Sequence, residues 1–439
     1  MKREFRLVRL LLIMILTFST FFINPHFSEA STFDVEAESA IIVDQETGEI
    51  LYAKNPDIAL PPASMTKMMT EYLVLEAIEN GTISWDTTTQ ISQYAYDISA
   101  NYLFSGIGLT MNKPYTVKDL YDAMVINSDN ATTIALAELI AGTEGEFVRM
   151  MNEKAEELGL TDYKFVNSSG LNNSSLGENY PDGTDPEAEN LMSARDTAKL
   201  AYHLVNDYPE VLETSKIPRK EFDGQVIENY NWMLPGMGEG VASFTYEGLD
   251  GLKTGHTELA GYTFTGTAKR NGQRLITVVM KTESKSERFN ETRKLMDYGF
   301  NNFKTVTLFE KGHQIEGEST ITVKKGKKDE VQIESSQAIE TMIKNGEKEN
   351  YSVKYELNEE VLTDDGTLVA PVEKDLEVGK MVLTYKGQDE YGNISGDDEI
   401  SVPLVTTEDV EKSNWFMLML QAIGDFFVNL FVSIKGLFA

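Results

Sequence analysis

The 439-residue sequence contains no cysteine. That excludes disulfide frameworks and thiolate nucleophiles, so each domain must be stable through its packed core alone. Histidine is nearly as scarce, with four residues. His26 falls in the N-terminal leader described below. The other three are His203, His256 and His313; such scarcity, with no cysteine, argues against a zinc peptidase, and none stands in the nucleophile-elbow setting of a Ser-His-Asp hydrolase. Cations are in deficit: 39 Lys and Arg face 70 Asp and Glu, a formal charge of −31. Nothing in such a chain would neutralise phosphates, so no nucleic-acid partner is expected, and the acidity reads as solubility. There is no convincing internal repeat and no long low-complexity run.

What is present begins with a basic segment, Lys2, Arg3, Arg6 and Arg9. An almost continuously apolar stretch follows from Leu10 to Ile23. Asn24-Pro25 breaks it, and Ser28-Glu29-Ala30 places small residues at the last and third-last positions before a cut. This pattern predicts a secretory signal peptide over residues 1–30, cleaved after Ala30; a retained membrane helix is the rival. The exported remainder, about 410 residues, is long enough for two or three domains.

Residues 40–43 and 50–53 read as strands around the turn Glu46-Thr47-Gly48. Helical periodicity predicts helices over 64–77, 117–141, 144–158 and 193–205. Strands return over 251–253, 261–268 and 274–280, the last two joined by Arg270-Asn271-Gly272-Gln273, an Asn-Gly hairpin signal. A helix over 286–300 closes the region. Strands at both ends with helices between them predict an α/β (α+β) catalytic domain, residues 31–304: one antiparallel sheet assembled from both chain ends, plus an inserted helical lobe. Clefts between such lobes are natural active sites. Residues 305–407 carry short alternating stretches punctuated by Gly, Asp and Asn, the signature of a small all-β domain. Residues 408–439 form a last segment. In it Gln421, Asp425, Asn429 and Ser433 recur every four residues on one helix face, and Phe416, Met419, Ile423, Phe426, Phe427, Leu430, Phe431, Ile434 and Leu437 fill the rest. A wide apolar face with a thin polar stripe predicts an amphipathic helix lying on a membrane surface, with a spanning helix as its rival.

Three short motifs follow one another. Ser64-Met65-Thr66-Lys67 opens the first long helix, where residues three apart share a face. The Lys67 amine is thus in reach of the Ser64 hydroxyl, a weak nucleophile that needs a base. A lysine serves as base when desolvation or neighbouring positive charge lowers its pKa. Ser128-Asp129-Asn130 supplies a second hydroxyl for proton relay and, in Asn130, a donor and an acceptor for a peptide-like substrate. Lys253-Thr254-Gly255, followed by His256, lies on a predicted strand. A cation and a hydroxyl there suit a substrate carboxylate, and Gly255 allows substrate backbone close to the strand. Singly these motifs are weak: Ser-x-x-Lys is expected about once or twice by chance in a chain of this length. Their order, on the expected element types, carries the weight.

In that order the motifs resemble those of the penicillin-interacting serine enzymes. Longer strings are similar to the D-alanyl-D-alanine carboxypeptidases, the low-molecular-weight penicillin-binding proteins: Ala59-Leu-Pro-Pro-Ala-Ser-Met-Thr-Lys-Met-Met-Thr, Phe165-Val-Asn-Ser-Ser-Gly-Leu, and Asp250-Gly-Leu-Lys-Thr-Gly-His-Thr. The resemblance covers residues 35–300 and accounts loosely for the β domain and the C-terminal helix. It implies a serine β-lactamase/DD-peptidase-like fold. It further implies removal of the terminal D-alanine from peptidoglycan stem peptides, acylation by β-lactams, a part in cell-wall biogenesis and cell shape, and a place at the outer face of the cytoplasmic membrane. Ser64 would be the nucleophile, Lys67 the base and Ser128 the relay. Asn130, Lys253, Thr254, Gly255 and His256 would bind substrate, and the Ser64 and His256 N–H groups would form the oxyanion hole. No metal or organic cofactor is implied. Some relatives carry an arginine in the segment equivalent to Asn229-Tyr-Asn-Trp-Met-Leu. None stands there, which leaves more of the carboxylate binding to Lys253 and Thr254.

Two rivals share the scaffold. A β-lactamase has the same motifs, and Ser-Asp-Asn is its common spelling. Its class A form also needs a deacylating glutamate, for which Glu187 and Glu189 are available in a polar loop that reads more simply as solvated. A DD-endopeptidase uses the same acyl donor, and the motifs do not separate it from a carboxypeptidase.

Overall fold

The computed structural model describes residues 33–387, 391–396, 399–419 and 423. The leader, and the C-terminal helix beyond its first turn, lie outside the described residues.

The N-terminal hairpin consists of β1 (Ser39–Asp44) and β2 (Ile50–Lys54). Every residue of β1 is buried, so its run Ala-Ile-Ile-Val shows no alternation, as expected of a strand covered on both faces. Three further strands, β3 (Leu249–Thr257), β4 (Gly261–Arg270) and β5 (Gln273–Thr282), form a meander. Antiparallel pairing of β1 with β5, from Ser39 opposite Met280 to Asp44 opposite Leu275, joins the two chain ends. The sheet order is β2-β1-β5-β4-β3, antiparallel throughout. Asn271 and Gly272, at φ 51° and 91°, make the tight turn that the Asn-Gly pair predicts.

The lobe between β2 and β3 is built around α1 (Lys67–Glu79), ten of whose 13 residues are buried. A helix apolar on all sides belongs inside a core, and this one carries Lys67 into it. Around it lie α2 (Val117–Asn127), α3 (Asn130–Ala141), α4 (Glu144–Glu157) and α5 (Ala194–Asp207). Side-chain caps set their starts: Thr116, Asp129, Thr143 and Ser193 each accept a hydrogen bond from the backbone N–H three residues on. The helix expected over 117–141 is therefore two. Ser128 adopts a left-handed conformation (φ 57°, ψ 31°) and Asp129 restarts the chain as an N-cap. The first long helix also differs from expectation: a 3₁₀ turn over Ala63–Thr66 precedes α1, so Ser64 lies in that turn and not on the α-helix.

Helix α6 (Lys285–Asn302) packs on β1, β4 and β5 and runs directly into β6 (Phe303–Phe309). Beyond it a six-stranded sheet and a two-stranded one form the all-β region. The segment 391–394 reaches back to the β1–β2 turn, where Ile50 N–H donates to Gly392 O (3.0 Å) and Ile394 N–H to Gly48 O (2.8 Å). Residues 409–413, assigned above to the terminal helix, instead pack on the β region. Val410 is 1% exposed and bridges Val372, and Ser413 Oγ donates to Gly326 O at 2.6 Å. Helix begins at 415, where Trp415, Phe416, Met417 and Met419 are all exposed. Among the described residues no helix is long and apolar enough to cross a membrane, and no group of side chains could hold a metal ion.

Candidate active site

The motif residues converge at one cleft of about 350 Å³ between the sheet edge β3 and the lobe. Ser64, Ser128, Asn130, Thr254, Gly255 and His256 line it. Lys67 and Lys253 stand behind this lining, 0% and 2% exposed.

Each serine faces one lysine. Lys67 Nζ lies 3.0 Å from Ser64 Oγ and donates to Asn130 Oδ1 (2.8 Å) and Ser169 O (2.6 Å). Burial, then the charge of Lys253, holds the Lys67 amine well below its usual range. Lys253 Nζ donates to Ser128 Oγ at 2.7 Å, and burial lowers its pKa too. The left-handed conformation of Ser128 places its hydroxyl against Lys253. Asp129 turns away from the cleft: it caps α3 through Thr132 N–H (2.8 Å) and accepts Ile107 N–H (2.8 Å). Asn130 Nδ2 donates to Ser105 O (2.9 Å), which ties the loop carrying Leu103 and Phe104 over the cleft.

The Phe165–Leu171 string forms the floor. Asn167 Oδ1 accepts the N–H groups of Ser169 (3.2 Å) and Gly170 (2.7 Å), curling the chain so that Ser169 O meets Lys67. The buried Glu144 carboxylate accepts from Ser168 N–H (2.9 Å) and Oγ (2.5 Å) and braces the same turn. Gly170 has φ +82°, and a methyl added there would lie 1.9 Å from Ala63 O. A Gly170→Ala protein should therefore lose about 2–4 kcal/mol of stability. It should also acylate at least about tenfold more slowly, because Ala63 precedes Ser64. Denaturant unfolding and penicillin-labelling rates check this; a stability change below about 0.5 kcal/mol would contradict it.

Two expectations change in detail. A methyl on Gly255 would meet Thr263 Oγ1 (2.4 Å) and Pro62 O (2.5 Å). The glycine is thus required for packing β3 against the chain leading to Ser64, whatever the substrate does. Lys253 is taken up by Ser128 and does not line the cleft.

Two cations line the cleft, Lys285 and Arg288, both on the first turn of α6, and Arg288 is the one held against β3. It is 3% exposed, and its Nη1 donates to Gly255 O at 2.9 Å. Burial lowers its pKa to about 10, which leaves it charged at neutral pH. The sequence reading sought an arginine only near Asn229 and missed this one, 35 residues beyond Lys253 with no local motif to mark it. His256 is stacked on Tyr262 (4.1 Å between ring centroids), and burial lowers its pKa, so it is neutral at pH 7. Glu187 and Glu189 do not line the cleft, so the polar-loop reading of that segment stands over a deacylating role.

A buried serine–lysine pair beside a second one defines a serine acyl-transfer site. Residues 26–284 match the family described as D-alanyl-D-alanine carboxypeptidase, and residues 303–412 match the penicillin-binding protein 5 C-terminal domain. The chain belongs to the D-alanyl-D-alanine carboxypeptidase family, the low-molecular-weight penicillin-binding proteins. It is similar to the D-alanyl-D-alanine carboxypeptidase DacF of Bacillus subtilis, with 30% identity over 414 residues, 94% of this chain and 96% of that protein. It is also similar to the crystal structure of PBP3 from Streptococcus pneumoniae, described as a peptidoglycan synthesis regulatory factor. There the TM-score is 0.69 at 36% identity, covering 86% of this chain and 100% of that one. Penicillin-binding protein D2 from Listeria monocytogenes, in its ampicillin-bound form, gives a TM-score of 0.50 at 34% identity, covering 61% of this chain and 98% of that one. The activity is serine-type D-Ala-D-Ala carboxypeptidation of peptidoglycan stem peptides.

Proposed function

We propose that Ser64 Oγ attacks the carbonyl between the two terminal D-alanines while Lys67 Nζ takes its proton. The observation that carries this is the set of three partners around Lys67. Asn130 Oδ1 and Ser169 O can only accept, so they take the two N–H bonds of a neutral amine. The lone pair then faces Ser64, the one partner with a proton to give. After transfer the ammonium still has an acceptor for each N–H, so the proton is held without reorganisation.

Ser128 gives its proton to the departing D-alanine amine and regains one from the Lys67 ammonium, and Lys253 donates to its oxygen, which leaves the hydroxyl hydrogen free to turn to the cleft. Asn130 holds the peptide. Thr254 and Arg288 hold the terminal carboxylate, with Arg288 supplying the charge that the sequence reading gave to Lys253. The N–H groups of Ser64 and His256 form the oxyanion hole, and water resolves the acyl-enzyme. A β-lactam imitates the dipeptide and acylates Ser64; the ampicillin-bound Listeria relative supports this reading.

The division of the chain follows from where the chemistry lies: catalysis in residues 31–304, support in the β domain, and attachment in the C-terminal helix. The protein is exported and rests on the outer face of the cytoplasmic membrane. The exposed Trp415, at 76%, and its apolar neighbours support an interfacial helix. Because 409–413 belong to the β packing, truncation belongs after Asn414. A protein ending there should be soluble and should release D-alanine from a diacyl-D-Ala-D-Ala peptide at the full-length rate. Detergent, but not high salt, should extract the full-length protein from membranes. Membrane retention of the truncated form would place the anchor elsewhere. Failure to release D-alanine would refute the carboxypeptidase reading of the isolated domains.

A further inference from the structure

Glu71 belongs to none of the three motifs. It is 2% exposed on α1, four residues after Lys67 and so on the same helix face, and its Oε1 has no hydrogen-bond partner. An unpartnered carboxylate in such a core is costly unless cations face it. We propose that Glu71 is a positioning residue for the two lysines: its carboxylate, buried one turn beyond Lys67 with Oε1 unbonded, is the shared counter-ion that keeps Lys253 cationic and sets how readily Lys67 accepts the serine proton. The inference rests on the reading of Lys67 as base given above.

Burial raises the Glu71 carboxyl to about 7 against the opposing pull of Lys253 from β3 and Lys67 from its own helix, so it gains its charge as the pH rises through neutrality. From α2 it faces Tyr121, whose buried hydroxyl also lacks a partner and whose ionisation Glu71 opposes. Asp122, the next residue on α2, is paired with Lys118 and Lys220. Asp129 and Glu144, the latter from α4, act on Lys67, and Arg288 acts on Lys253.

The consequences run in one direction. On Lys253, Glu71 is the first influence opposing burial. On Lys67 it works with Asp129 and Glu144 against burial and against the repulsion of Lys253. Two buried cations that act on one another are mutually disfavoured, and an anion that acts on both lets one stay charged while the other gains and loses a proton. Removing the anion lets both lysines lose their protons at lower pH. Lys67 then becomes a competent base earlier on the acid side. Lys253 stops holding Ser128 as a cation earlier on the alkaline side.

The test is the pH profile of the second-order rate of acylation by a chromogenic cephalosporin, with D-alanine release measured in parallel. Full-length wild-type protein is compared with Glu71→Gln and Glu71→Asp. Glu71→Gln should displace both limbs of the bell to lower pH by about one unit, and Glu71→Asp, which keeps the charge, should restore them. If Glu71→Gln lacks a cooperative thermal transition, Glu71→Leu is the neutral replacement, since apolar substitutes for buried ionic groups are often tolerated. A uniformly lower rate with both limbs in place would make Glu71 merely structural and overturn the proposal. So would a set in which only the charge-retaining variant folds. A wild-type profile with no acid limb would instead refute Lys67 as base, and with it this inference.

Discussion

A Ser64→Ala protein should lose both D-alanine release and covalent labelling by a fluorescent penicillin, each by about 10⁴-fold or more. The two losses belong together because one hydroxyl is the acceptor in both reactions. The side chain is small, and its one contact with Lys67 Nζ leaves that amine with two other acceptors, so the fold should survive. In-gel fluorescence, a D-alanine assay and a thermal melt make the comparison. Persistent covalent labelling would transfer the nucleophile to another hydroxyl in the cleft, Ser128 being the one already paired with a lysine.

Lys67→Ala should lower the acylation rate by about 10³-fold with Ser64 still present. Burial and Lys253 depress the pKa of the amine, so it becomes a free base at lower pH than an ordinary lysine; acidification protonates it, and acylation must fall. Wild-type acylation should therefore rise with pH through the depressed pKa of Lys67, and the variant should lose that rise. Stability should change little: the variant strands Asn130 Oδ1 and Ser169 O but also removes a buried amine, and these effects oppose one another. Near-normal acylation with an unchanged melting transition would remove Lys67 from the base role.

Much of this molecule was legible along the chain. The Asn271-Gly272 turn, the helices over 144–158 and 193–205, and the strand over 40–43 are local signals, because turn geometry and periodicity depend on residues a few positions apart. The break at Ser128-Asp129 was not read, because apolar periodicity on both sides made 117–141 look like one helix. Arg288 and Glu71 were not legible. Neither belongs to a motif, and an arginine or glutamate on a helix is usually solvated. The role of residues 409–413 also escaped, because a short segment packing on a distant sheet has no periodicity of its own.

By itself the sequence determined the order of elements, the antiparallel hairpins and the three motifs with their residue types. These follow from steric and hydrogen-bonding preferences that act over a few residues. Only the tertiary structure decided which charges share a cleft and how dry they are. The tendency of Lys67 to lose its proton comes from its burial at the start of α1 and from Lys253, some 190 residues away. The partner of Lys253 is Ser128, 125 residues away, and the guanidinium bound to Gly255 O comes from Arg288 on another element. Desolvation and Coulomb interaction depend on distance in space and on what lies between, and the chain acquires both only when β1 pairs with β5 and closes the sheet over the helical lobe.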